Sequence, residues 1–219
     1  MQRYDFFSNY YLYVLILILS EAKKRYTDMK KRRNKPIETI PEMEGYSVEM
    51  RTISMLWANV AAIVVMVLLG LLGFVLMYAI WGGTSLGRPW SAMLFLVGLW
   101  VGIVVHELIH GLTWMWVTHS GFRHLRFGVL PGGVYCHIDV LMNKRRYVVG
   151  ALMPLLLLGI IPFFLSFATH SLWLMLFGVI FIACAMGDVL IVWAVRKECP
   201  DTLVYDHPSE GGCVVYHKC

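Results

Sequence analysis

Four stretches of this chain are each long and apolar enough to cross a lipid bilayer, and they limit the possible folds more than any other feature. A hydrocarbon core asks for about 20 apolar residues in a helix. Residues 55–81, 91–117, 147–168 and 172–195 each supply such a run. Backbone polar groups in lipid must find partners within their own segment, so runs of this kind fold as helices. Tryptophans stand near several of the ends (Trp57 and Trp81, Trp90 and Trp116, Trp173 and Trp193), at the depth where amphipathic rings settle. Gly70 and Gly73 in the first run suit close helix packing. Only 15% of residues are charged and mean hydropathy is +0.65. An ordinary soluble domain carries about 25% charged residues. The expected fold is an all-α polytopic membrane protein of four transmembrane helices, with the lipid bilayer as its surroundings.

Lysine and arginine set the expected orientation. Lys23, Lys24, Arg25, Lys30, Lys31, Arg32, Arg33 and Lys35 precede the first span. Arg123, Arg126, Lys144, Arg145 and Arg146 occupy the long loop between the second and third, and Arg196 and Lys197 follow the fourth. The two short loops, 82–89 and 170–171, hold only Arg88. Positive residues stay on the cytoplasmic side, so both termini and the long loop are expected there, in a multi-pass protein of the plasma membrane. The net charge of +5 is explained by attraction to anionic headgroups, and no nucleic-acid partner is expected. Five cysteines without a C-x-x-C pair describe no disulfide framework. The chain divides into a basic, peripheral segment 1–45, a four-span domain 46–197 and a cytoplasmic tail 198–219. Within the first, the apolar stretch 6–19 is short for a span and reads as an interfacial helix or an uncleaved signal-like segment, and Met29 could be the true start.

The second span carries His106-Glu107-Leu108-Ile109-His110. Ionisable groups are costly in hydrocarbon, so a cluster of three marks a functional site. On a helix the two histidines lie one turn apart on one face and can share a metal, with Glu107 beside them as a base for bound water. The bland reading is a buried histidine pair bonded to a carboxylate. Asp188 in the fourth span supplies a third ligand. If the second and fourth spans both run inward, His110 and Asp188 each lie seven residues from the cytoplasmic end, roughly 10 Å deep at 1.5 Å per residue. His106 is one turn deeper. None of the four runs contains lysine or arginine, so Glu107 and Asp188 are either protonated or water-solvated acids, as desolvation favours, or are neutralised together by a bound dication. Cys184, one turn before Asp188, is the competing ligand. His106, His110 and Asp188 with an open fourth position fit a catalytic Zn2+ site.

Within the long loop, residues 134–140 alternate apolar and polar side chains after the turn-forming Pro131-Gly132-Gly133. A β-hairpin with residues 122–129 as partner strand is expected there, able to hold an extended peptide by edge pairing. A plain connector that folds back is the alternative. His137 in this loop could reach the site. Cys199, His207, Cys213, His217 and Cys219 in the tail fit no zinc-finger spacing.

On these residues the chain resembles a family of bacterial membrane proteins of unknown function described as zincin peptidases. The likeness spans roughly residues 45–217. It rests on His106 to Gly111, Tyr135-Cys136, Pro154, Gly187-Asp188, Asp206-His207-Pro208 and Gly212. More distantly it is similar to site-2 proteases, whose H-E-x-x-H helix is joined by an aspartate from a later Leu-Asp-Gly motif. Here that position reads Gly187-Asp188-Val189, without the leucine or the second glycine. The resemblance implies a peptidase and names no substrate.

The expected activity is therefore a zinc-dependent endopeptidase embedded in the membrane, acting on a membrane protein or peptide with Glu107 as general base. A di-iron oxygenase would need several further histidine boxes, which the scattered remaining histidines do not provide. A non-enzymatic metal-binding scaffold is the alternative, although metal ligation alone would have no need of Glu107.

Overall fold

The computed structural model describes residues 40–88, 90–130, 133–208 and 210–218, and in it each apolar run is helical. The apolar stretch 6–19 and the basic cluster before the first span lie outside the described residues. Helix α1 is Met55–Trp81 and α2 is Trp90–Thr118. The third crossing is built from α3 (Lys144–Pro154), a π-helical turn (Leu155–Ile160) and α4 (Ile161–Thr169). The fourth is α5 (Leu172–Cys184) and α6 (Met186–Ala194), broken at Ala185. All four are long and apolar enough to cross a membrane. The expected spans differ from these by at most three residues at any end.

Both short connections lie at one end of the helices and are bonded to each other. Leu172 N–H donates to the Ser85 carbonyl at 3.3 Å, Trp173 Nε1 to the Leu86 carbonyl at 2.8 Å, and His170 Nε2 to the Gly83 carbonyl at 3.1 Å. The tight turn at His170 uses a left-handed backbone, φ 49°, and Ser171 Oγ then caps α5 by accepting from Leu174 N–H. Beneath these loops Met77, Phe163, Met175 and Val179 form one apolar core.

The opposite end is not helical, which corrects the expectation of an all-α fold. Strands β1 (Tyr46–Thr52), β4 (Met142–Asn143), β5 (Leu203–Asp206) and β6 (Gly212–Lys218) make one antiparallel sheet in the order β1-β6-β5-β4. Met50 faces Val214 across the first pair, and Val204 faces Val215 across the second. An even number of crossings returns the chain to the side it left, so the segment before α1 meets the segment after α6. β1 alternates Tyr46, Val48 and Met50 with Ser47, Glu49 and Arg51, as a strand with two unlike faces does. β6 is apolar and buried from Cys213 to Tyr216, as its central place in the sheet requires. Residues 198–219, expected as a tail, thus provide two of the four strands.

The expected hairpin is present. β2 (Leu125–Leu130) pairs antiparallel with β3 (Gly133–Ile138), with Phe127 opposite Cys136. β2 begins three residues later than expected because Phe122–His124 forms a 3-10 turn. Trp114, Ile138, Tyr147, Val195, Val204 and Val215 close a second core, which joins helix ends, hairpin and sheet.

Candidate metal centre

His106 and His110 are buried on α2, and Asp188 reaches them from the first turn of α6. The two Nε2 atoms are 3.2 Å apart, and each lies 3.4 Å from Asp188 Oδ2. These lengths test whether zinc fits. Ligand atoms on a tetrahedral zinc lie about 2.0–2.1 Å from the ion, so any two of them are about 3.3 Å apart. The three observed separations match that edge length, and together they form one face of such a shell. Among the described residues this is the only group of three histidine, cysteine or carboxylate ligands gathered closely enough for a metal. Asp188 keeps 22% of its side chain exposed, so the cluster is not sealed within protein on that side.

Each of these three candidate ligands is placed by a local feature of the chain. His110 Nδ1 lies 2.9 Å from the Gly150 carbonyl of α3. A carbonyl can only accept, so Nδ1 carries a proton, and Nε2, which faces His106 and Asp188, is the nitrogen left to bind a metal. One face of the ring stacks on Trp114, centroids 5.3 Å apart. Trp114 also donates from Nε1 to the Tyr147 carbonyl at 3.1 Å. Gly150 is needed here because a Cβ on it would collide with the Trp114 ring. His106 meets His110 edge-on and lies beside Phe181, at 4.8 and 6.4 Å between centroids. The break at Ala185 makes Asp188 part of a new helix start, where the positive end of the helix dipole favours a carboxylate.

Glu107 stands beside the cluster and is half-buried. It lies within electrostatic reach of both imidazoles, of Asp188 and of the Cys136 backbone on β3. The hairpin approaches α2 closely at this point. A Cβ on Gly111 would sit 2.9 Å from Cys136 Sγ and 3.0 Å from Leu125 Cδ1, so the residue after the motif is one that leaves room for the hairpin. Burial, with Glu107 and Asp206 adding negative charge, pushes the Cys136 thiol up to about 12. Without a metal beside it, it is a neutral packing group at physiological pH. Cys184, the competing ligand, lies outside the cluster.

A second polar node escapes a reading of the sequence. His137 Nδ1 donates to Asp206 Oδ2 at 2.8 Å, and Tyr147 Oη donates to Asp206 Oδ1 at 3.1 Å. All three residues are buried. His137 was expected to be able to reach the metal site; the structure instead commits its Nδ1 to the sheet. Tyr147 stacks on Trp114 with centroids 5.6 Å apart, so the node and His110 share one aromatic column. The signal available in the sequence was Asp206-His207-Pro208, a polar group closing an apolar strand.

No curated protein and no solved structure matches the chain. A family model does. The segment that brings the H-E-x-x-H helix, the hairpin, Pro154 and Asp188 together, residues 99–203, matches the family described as "Putative zincin peptidase".

Proposed function

We propose that this protein is a zinc-dependent, membrane-embedded endopeptidase that hydrolyses peptide bonds of a membrane protein or peptide. The observation that carries the reading is the triangle of His106 Nε2, His110 Nε2 and Asp188 Oδ2, whose edges suit one tetrahedral metal. A zinc ion held there would act as a Lewis acid on the scissile carbonyl and lower the pKa of its own water. Two neutral imidazoles and one carboxylate leave the ion a net positive charge for that task. Glu107, adjacent in sequence but outside the ligand triangle, takes a proton from the attacking water and returns it to the leaving amine. The hairpin beside Glu107 offers backbone groups along which an extended peptide can align, with β3 nearest the carboxylate. The Lys- and Arg-bearing end, with the sheet and the hairpin, faces the cytoplasm in this reading.

The ligand set is tested by metal content. Purified protein should carry about one zinc per chain, as three protein ligands and an open position imply. His106→Ala, His110→Ala and Asp188→Ala should each lose most of it. Full occupancy in Asp188→Ala would transfer the third position to another residue. A wild-type protein without affinity for zinc would leave the histidine pair as a buried hydrogen-bonded unit.

A further inference from the structure

We propose that Pro154 is a positioning residue for the metal centre: by withholding an N–H from the Gly150 carbonyl, it leaves that carbonyl to orient His110. The inference rests on the reading of His106, His110 and Asp188 as ligands.

In a regular α-helix the carbonyl of residue 150 accepts from the N–H of residue 154. Proline has no N–H, and its ring crowds the carbonyl four residues back. The next donor along, Leu155 N–H, bonds the Leu152 carbonyl instead. Beyond it the helix relaxes into the π turn Leu155–Ile160. The Gly150 carbonyl is therefore without its ordinary helical donor, and His110 Nδ1 takes that place at 2.9 Å. The bare Gly150 Cα also admits the Trp114 ring that stacks on His110. Two departures from a good helix sequence, Gly150 and Pro154, thus converge on one imidazole.

The other histidine supplies the contrast. His106 Nδ1 is buried with no hydrogen-bond partner, so nothing of this kind fixes its tautomer. His110 is the imidazole whose Nε2 is aimed before any ion arrives, and second-sphere bonds of this type commonly govern metal affinity. A purely structural role for Pro154 is the rival account. The π turn packs tightly on the fourth crossing, with Gly159 against Ile182, and the proline could serve only to bend the helix there. That role would appear in stability and not in zinc affinity.

The test is zinc binding by the purified full-length protein in detergent, measured by competition with a chromogenic chelator. Pro154→Ala supplies an N–H that draws the Gly150 carbonyl back into the helix. Its zinc Kd should weaken by roughly 10-fold, the lower end for losing an outer-sphere partner. The thermal midpoint of the metal-free protein combines alanine's better fit to a helix interior with the space left by the buried proline ring, so the zinc Kd is the deciding readout. Pro154→Gly restores the N–H while leaving the backbone free to bend, and should weaken zinc in the same direction. Pro162→Ala, in the same crossing but away from Gly150, should leave the Kd unchanged. Wild-type affinity in Pro154→Ala, or equal weakening in Pro154→Ala and Pro162→Ala, would overturn the inference while leaving the metal site intact. A wild-type protein that binds no zinc would instead remove the metal reading, and this inference with it.

Discussion

At the scale of single residues, the centre depends on which side chains are held and which are left free. His110 is fixed by a carbonyl bond and an aromatic face, Asp188 by a helix start, and Glu107 by its place next to His106 in the motif. Counting depth along two spans is enough to join Asp188 to the histidines, because a helix converts sequence position into height at a fixed rise. The His137–Asp206–Tyr147 node is not legible in that way. Its members come from a hairpin, a strand and a helix start, and nothing local in the sequence relates them. The node does make a prediction. Asp206→Ala leaves the buried His137 N–H without its acceptor, at a cost of about 1–3 kcal/mol, and leaves the Tyr147 hydroxyl only the Gly212 carbonyl at 3.5 Å. The thermal midpoint of the metal-free protein should fall clearly, while Tyr147→Phe, which removes a donor and leaves no orphan on its own side chain, should lower it less. Equal midpoints for wild type and Asp206→Ala would mean that the node does not bear on stability.

At the scale of elements, the spans were legible because hydrocarbon permits few alternatives, and the hairpin because its alternation follows a turn. The four-stranded sheet was not, although β1 alternates cleanly. A lone seven-residue strand has no value until its partner is known, and its partner, Gly212–Lys218, lies far away at the other end of the sequence. The breaks inside the third and fourth crossings were also invisible to a hydropathy reading, which registers apolar length and not hydrogen-bond register. Pro154 marks the first break openly. The second, at Ala185, is marked only by its consequence, the inward turn of Asp188. The sheet is part of the core and not an appendage: Val204 and Val215 pack with Trp114 and Tyr147, next to the centre. Val215→Asp would place an unpaired charge there and should cost at least about 3 kcal/mol. Thermal unfolding in detergent would record it as a large drop, whereas a change of a degree or two would show the sheet to be dispensable.

At the scale of the whole molecule, polarity runs from one end to the other. The short loops, carrying Arg88, are tied together at one end, and the hairpin, the sheet and the remaining described basic residues of the loop and the segment after α6 gather at the other. His106, His110 and Asp188 lie between, nearer the sheet end. Reporter fusions at Arg146 and Cys219 should report the cytoplasm, and those at Arg88 and in the 170–171 turn the outside. A fusion placing Arg146 outside would invert the molecule and expose the site to the opposite compartment. Activity is the remaining question, and the most direct measurement is of new protein N-termini formed in isolated membranes containing either wild type or Glu107→Gln, each with its zinc content determined. Glutamine keeps the size of glutamate but cannot accept the proton, so the account predicts at least a ~100-fold loss of cleavage with zinc retained at the wild-type level. Cleavage undiminished in Glu107→Gln, or a variant that has lost its zinc, would contradict it.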